Sequence, residues 1–168
     1  MKKLFLAFVV IVITTSVNAQ TSFSIGLEGS LPMGDFNKAG YNFGIGGSAQ
    51  VDHKVASDLA LTLNAGYISY SNPTSNPKIR FSVIPLLGGI KYWFSPKVYG
   101  SGQLGAAFNS TKFANNTGSI STTGFAYSPG IGINITNSID LLLKYFGNSV
   151  GGGSFNSIGA RLAYNFGK

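Results

Sequence analysis

His53 is the residue whose chemistry is easiest to test from the sequence. It lies between Asp52 and Lys54, with Asp58 close behind. A histidine oriented by a carboxylate can act as a general acid or base, provided that both line a shaped pocket. The stretch 52–57 connects two alternating segments, which predicts a solvated turn instead. We therefore expect no catalytic residue here, and we expect the protein not to be an enzyme.

Cofactor and metal chemistry find equally little support in the sequence. The chain contains no cysteine and one histidine, which removes a His/Cys zinc site, a disulfide framework and thiolate chemistry. The glycine-rich stretch 44–49 is similar to a dinucleotide-binding fingerprint, but no helix is predicted after it. Its glycines fit one face of a strand better. We expect no cofactor and no metal.

Glu28 and Arg161 are the most informative charged residues. Glu28 lies about six residues into the first alternating segment, and Arg161 lies about five residues before the end of the last. If these segments are antiparallel neighbours, the two side chains lie at similar depth. The sequence thus predicts an ion pair in the interior of a barrel, with Lys144 and Lys91 nearby. The alternative is that interior water solvates each charge independently.

The elements that must position these residues are strands, because apolar residues alternate with small or polar ones. In the last segment, Ile158, Leu162, Tyr164 and Phe166 share one face. Its length suits a tilted strand that crosses a bilayer. No segment predicts an amphipathic helix. The eight predicted strands cover residues 22–31, 40–51, 58–70, 78–94, 98–111, 124–135, 139–146 and 156–166.

Two proline positions interrupt this alternation. The stretch 32–35, which begins with Pro32, predicts a turn because proline cannot donate to a ladder. In the fourth segment, Phe81 and Val83 have the opposite parity to the apolar residues that follow Pro85. A bulge near Pro85 would reconcile the two halves by shifting the register by one residue.

Side-chain volume predicts which face points outward. One face carries Leu, Ile, Val, Phe and Tyr, and the other carries Gly, Ser, Ala and Asn. An eight-stranded barrel is only wide enough for small interior side chains, so the bulky face must point outward. Charged residues form 10% of the chain, whereas a soluble surface carries about 25–35%. The bulky face therefore meets lipid, and a lipid-facing sheet must close on itself.

Aromatic residues are predicted to form two girdles. Tyr92, Phe94, Tyr164 and Phe166 lie near the strand ends that we assign to the periplasm. The other girdle is predicted near the longer connections and comprises Tyr41, Phe43, Tyr67, Phe125, Tyr127 and Tyr145.

Three stretches carry a resemblance to a known family: 26–36 (GLEGSLPMGDF), 84–94 (IPLLGGIKYWF) and 162–166 (LAYNF). With them the whole chain after residue 19 resembles the small bacterial outer-membrane β-barrels of the OmpA/OmpX-like group. The resemblance implies a closed up-and-down antiparallel transmembrane β-barrel of eight strands. It also implies assembly by the barrel-assembly machinery, although Gly167 and Lys168 follow the terminal aromatic residue that this machinery often recognises.

The start of the sequence predicts export. Lys2 and Lys3 precede an apolar run, and 17–19 (VNA) has the small residues of a cleavage site. We expect residues 1–19 to be a cleaved signal peptide and residues 20–168 to be the outer-membrane barrel. Nucleic acid is not an expected partner, because the lysines are scattered singly despite a net charge of +7.

The predicted function is that of a non-enzymatic integral protein of the bacterial outer membrane. Its role would be structural or a surface interaction of the adhesin type, carried by extracellular loops near 33–39, 71–78, 112–121 and 147–154. The expected partners are outer-membrane lipid, the assembly machinery and an extracellular ligand of unknown identity. The alternative is a narrow channel or a carrier of a small ligand across the outer membrane.

Overall fold

The computed structural model describes residues 20–72, 79–113, 119–151 and 153–166. The predicted signal peptide, residues 1–19, lies outside the described residues. No helix in the described part of the chain is long and apolar enough to span a membrane. The described elements are β1 (Thr21–Met33), α1 (Asp35–Lys38), β2 (Phe43–Lys54), β3 (Leu59–Ser71), β4 (Ile79–Trp93), β5 (Val98–Phe113), β6 (Ser119–Asn134), β7 (Ile139–Val150) and β8 (Gly153–Phe166).

The eight strands form one closed antiparallel barrel. Each strand pairs with the next one along the chain, and β8 pairs with β1 to close the ring. The seam between β1 and β8 extends from Phe23 opposite Phe166 to Met33 opposite Asn156. Closure leaves no strand edge without a partner, as a sheet in contact with lipid requires. The predicted eight-stranded up-and-down barrel is confirmed.

Side chains alternate between the two faces of the barrel wall as the sequence predicts. Large apolar residues point outward, and Leu27 and Ile131 remain 70% and 65% exposed on the isolated chain. The residues between them point inward, and Glu28 and Arg161 are 2% and 1% exposed. Small inward residues make room for the few large polar ones, because the interior of an eight-stranded barrel is narrow.

The bulge predicted near Pro85 is wrong. Ala65 pairs with Leu86 and Ile68 pairs with Val83, so β3 and β4 keep one register on both sides of Pro85. The register between β4 and β5 is also unbroken. Val83 is fully buried because it points into the barrel. The interior changes character along its axis, from polar to apolar, and the parity of the strand does not change.

The turn predicted at 32–35 is wrong for Pro32 and Met33, and a single helical turn that the sequence does not predict follows it. β1 continues through Pro32 to Met33, and Pro32 pairs with Ser157 of β8. Gly34 then adopts a positive φ of 60°, and a single helical turn, α1, follows. One turn is too short to show a helical period in the sequence. Its effect on the structure is nevertheless large, because α1 carries the buried side chain of Phe36.

The two ends of the barrel differ in their connections. Short turns at 55–58, 94–97 and 135–138 lie at the end where β1 begins and β8 ends, which we call the short-turn end. The opposite end, the loop end, carries α1 and the turn at Gly151. β5 and β6 extend into the predicted loop 112–121, and β7 and β8 extend into the predicted loop 147–154. These two connections are therefore shorter than the sequence predicts.

Candidate functional site: the filled barrel interior

Glu28 lies at the centre of one group of interior charges. The Lys144 ammonium is 3.0 Å from Glu28 Oε1 and 2.9 Å from Oε2. Arg161 Nε is 3.8 Å from Oε1, and the backbones of Glu28 and Arg161 pair across the seam. Ser48 bridges the two, because its hydroxyl donates to Glu28 Oε1 at 2.7 Å and accepts from Arg161 Nε at 2.8 Å. The predicted partners are thus adjacent, with Lys144 closer to the carboxylate than Arg161.

A second group of charges lies nearer the short-turn end. Lys91 Nζ is 2.6 Å from Asp52 Oδ2 and 3.7 Å from Asp140 Oδ2. The Tyr99 hydroxyl donates to Asp140 Oδ2 at 2.8 Å. Arg161 Nη1 lies 3.7 Å from Asp140 Oδ1 and so connects the two groups. Lys91, which we expected near Glu28, is instead the partner of Asp52.

Asp52 was missed as an interior residue because the sequence places it in a connection. β2 continues to Lys54, and Asp52 is buried. The signal was present in the sequence, because Asp52 has the same parity as Gln50 and Ser48 on the small face. His53 therefore points the other way, is exposed, and accepts or donates a hydrogen bond with Thr21 Oγ1 at 2.8 Å. The Asp52–His53 dyad is not formed.

The interior charges balance one another. Among the residues that the structure describes, three carboxylates face three cations inside the barrel, and all six are buried: Glu28, Asp52, Asp140, Lys91, Lys144 and Arg161. We call this set the charge network. A buried charge is costly unless it is paired, so the balance explains how these groups are tolerated inside the barrel. Among the described residues, no three metal-ligating side chains converge on one point.

Amides and hydroxyls tie the charge network to the wall. Gln103 Nε2 donates to Gln50 Oε1 at 3.2 Å and to Thr62 Oγ1 at 3.1 Å. Gln50 in turn donates from Nε2 to Asp52 Oδ1 at 2.7 Å. Side chains from β2, β3 and β5 therefore meet across the interior. Hydrogen bonds of this kind hold long polar side chains in one arrangement.

Aromatic rings fill the interior at the loop end. Phe36 of α1 stacks on Tyr41 with centroids 4.7 Å apart, and lies 5.1 Å from Tyr70 and 4.9 Å from Phe155. We predicted Tyr41 in the outer girdle, and this is wrong, because Tyr41 packs inside the barrel. Gly44 makes room for the Tyr70 ring, because a Cβ there would overlap it. We call the following set the aromatic plug: Phe36, Tyr41, Tyr70, Phe81, Phe146 and Phe155.

Aromatic pairs also lie on the outside of the barrel. At the short-turn end, Tyr92 and Phe94 are 5.4 Å apart, and Tyr164 and Phe166 are 4.8 Å apart. All four rings are exposed. A closed barrel with an apolar outer band, aromatic residues at its margin and a polar interior is a membrane-spanning β-barrel.

The comparisons with known proteins agree with this class. The chain belongs to the family described as "Outer membrane protein beta-barrel domain", whose model matches residues 5–166. It is accordingly a protein of the bacterial outer membrane. No curated protein matches the sequence.

Solved structures share the fold at low sequence identity. Ail, the attachment invasion locus protein of Yersinia pestis, solved with the heparin analogue sucrose octasulfate, superposes with a TM-score of 0.66 at 20% identity, covering 88% of this chain and 98% of Ail. The N-terminal β-barrel domain of Pseudomonas aeruginosa OprF gives 0.62 at 16%, covering 88% and 98%. Neisserial surface protein A gives 0.61 at 13%, covering 87% and 97%.

Proposed function

We propose that this protein is a closed, non-conducting and non-enzymatic scaffold of the outer membrane. Its role is structural or a surface interaction carried by the loop end, which faces the outside of the cell. The observation that carries the proposal is the filled interior, in which the charge network and the aromatic plug occupy successive levels of the barrel.

The filled interior argues against the alternative of a narrow channel or small-ligand carrier. An ion that entered from the short-turn end would have to separate partners such as Lys91 and Asp52, which are 2.6 Å apart. Breaking a buried pair costs about 3–5 kcal/mol. The same ion would then meet the aromatic plug, whose packed rings offer few oxygen atoms to replace its hydration shell.

The orientation follows from the connections. Outer-membrane barrels have short periplasmic turns and longer extracellular connections. The turns at 55–58, 94–97 and 135–138 fit the periplasmic side, which leaves α1 and the ends of β3 and β4 that lie beside it on the outside. Ail, the attachment invasion locus protein of Yersinia pestis, has the same fold, which is consistent with a surface role of this kind. At 20% identity this likeness suggests the type of role and no particular ligand.

Conductance measurements in planar bilayers test the closed interior. We expect the purified barrel to show no stable conducting state. The charge network and the aromatic plug would both have to rearrange before an ion could pass. A reproducible step conductance from correctly folded protein, verified by its heat-induced gel shift, would overturn the proposal in favour of the channel.

Adhesion measurements test the surface role. One variant replaces residues 35, 37, 38 and 73–78 with Gly/Ser and keeps the buried Phe36, and its matched control replaces 94–97 in the same way. Intact cells that display each variant are compared for attachment to surfaces coated with matrix protein or heparin. We expect the loop-end variant to lose attachment and the control to keep it. Equal attachment by the wild type and both variants would exclude a surface interaction through these residues and leave only a structural role.

A further inference from the structure

Two cations face each other on the outer wall of the barrel near the loop end. Arg80 of β4 is the cross-strand partner of Lys112 of β5, and both are exposed. Phe81 packs into the interior, so its neighbour Arg80 points outward. Like charges directly opposite each other on one face of a sheet repel. An anion that lies between the two cations would offset this repulsion and would account for their placement.

No acidic side chain of the surrounding strands can neutralise this pair. The sequence contains no aspartate or glutamate between Asp58 and Asp140, which covers β3 to β6 and their connections. Among the described residues, neither Arg80 nor Lys112 takes part in an ion pair. Lys38, the other described lysine at the loop end, does have a partner, because its ammonium is 3.2 Å from Asp35.

Arg80 and Lys112 also lie beyond the lipid-facing apolar residues of their strands. Two residues nearer the barrel centre, Ser82 of β4 pairs with Ser110 of β5. Two residues further, Ile84 pairs with Phe108, and both are exposed to lipid. At about 3.4 Å per residue along strands tilted by about 35–45°, the cations lie about 10 Å nearer the loop end than the last bulky apolar pair of these two strands. That distance places them in the polar headgroup layer.

The serine level extends to the neighbouring strands. Ser69 of β3 pairs with Ser82, and Ser121 of β6 pairs with Ser110. Four serines in successive strands therefore separate the cations from the hydrocarbon band. Towards the seam, Arg80 is in register with Ser71 of β3 and, through it, with Phe43 of β2, and neither residue carries a charge. Among the described strand residues, the cationic surface therefore belongs to β4 and β5.

We propose that Arg80 and Lys112 bind a phosphate group of an anionic glycolipid in the outer leaflet. A guanidinium offers a planar fork for two phosphate oxygens, and an ammonium supplies a point charge beside it. A phosphate between them converts their repulsion into two attractions. The lipid's acyl chains would then lie against Ile84 and Phe108. This assignment goes beyond the surface role proposed above and shares with it the outward orientation of the loop end.

The test compares lipids that differ only in phosphate. The barrel is folded into phosphatidylcholine vesicles that contain bisphosphorylated lipid A, the same lipid without its phosphates, or neither. Native mass spectrometry and thermal unfolding then measure retained lipid and stability. For wild type we expect retention and stabilisation only with the phosphorylated lipid. For Arg80→Gln/Lys112→Gln we expect affinity to fall about tenfold or more, because two charge-assisted contacts are lost.

A matched control removes the same charge elsewhere. Lys54→Gln/Lys97→Gln alters the exposed short-turn end and should bind like wild type. If both double variants lose lipid equally, the effect is one of net charge and the site is refuted. If inorganic phosphate alone gives the same stabilisation as the lipid, the pair is a free-anion site and the lipid assignment fails. Retention of lipid A by Arg80→Gln/Lys112→Gln at the wild-type level also overturns it.

Discussion

The contact between Glu28 and Lys144 offers the sharpest test of how the interior is held together. Both side chains are buried, and the ammonium lies within 3.0 Å of both carboxylate oxygens. Glu28→Gln keeps the size of the side chain but leaves Lys144 and Arg161 with one counter-charge fewer. Stranding a buried charge costs about 3–5 kcal/mol of the free energy of unfolding. We expect a loss of that size.

A double-mutant cycle separates the pair from its surroundings. Lys144→Met removes the opposite charge, and Glu28→Gln/Lys144→Met restores neutrality inside the barrel. We therefore expect the double variant to be less destabilised than the sum of the two single variants, by about 0.5–3 kcal/mol. The opposite behaviour, in which the two losses simply add, would show that the two groups do not interact.

The exposed pair between Asp35 and Lys38 is the matched control. Its atoms are 3.2 Å apart, but its side chains are 93% and 79% exposed. Exposed pairs contribute about 0–1 kcal/mol, so Asp35→Asn should have little effect. A large difference between the Glu28 and Asp35 variants would show that burial makes the interior contact strong.

Urea titration of barrels refolded in lipid vesicles measures these differences, with the heat-induced gel shift as the readout of the folded fraction. With an m-value of about 1–3 kcal/mol/M, a loss of 3 kcal/mol moves the midpoint by about 1–3 M. A shift of Glu28→Gln no larger than that of Asp35→Asn would refute the reasoning. It would support the alternative in which interior water solvates each charge separately.

Two further substitutions probe the packing of the interior. Phe36→Ala removes the ring that contacts Tyr41, Tyr70 and Phe155. It should destabilise the loop end and make residues 35–40 accessible to protease. Planar bilayers should still show no conductance, because the charge network remains. Gly132→Ala places a Cβ where the Tyr99 ring lies and should cost about 1–3 kcal/mol in a urea titration. Tyr99→Phe/Gly132→Ala, which retains the overlap, should be no more stable than Gly132→Ala.

The sequence predicts the wall of the barrel well because alternation is a local property. The face of each strand, the number of strands and the outward position of residues such as Leu27 and Ile131 follow from period and side-chain volume. The proximity of Glu28 and Arg161 adds one inference, namely that the first and last strands meet. Each of these predictions needs only the strand repeat and the rule of closure.

The filling of the interior is harder to predict because it depends on which strands face one another. Asp52 is close to Lys91 because β2 pairs with β3 and β3 pairs with β4. The sequence pattern does not show which side chains these pairings bring together. Phe36 enters the barrel on a single helical turn that leaves no period. Val83 suggested a bulge because we expected small residues along the whole interior, whereas the loop end is filled by apolar side chains.

The seam between β1 and β8 has a consequence for when the chain can fold. Arg161 hydrogen-bonds Ser24 across 137 positions of sequence, so the first strand waits for the last one to be synthesised. Until then, β1 and β7 each have an unpaired edge, which could pair with a strand of another chain. Pairing of β1 with β8 joins distant parts of the chain, so loop-closure entropy is expected to slow this step of folding. A nascent chain of this kind avoids such incorrect pairing if it stays extended until β8 is available.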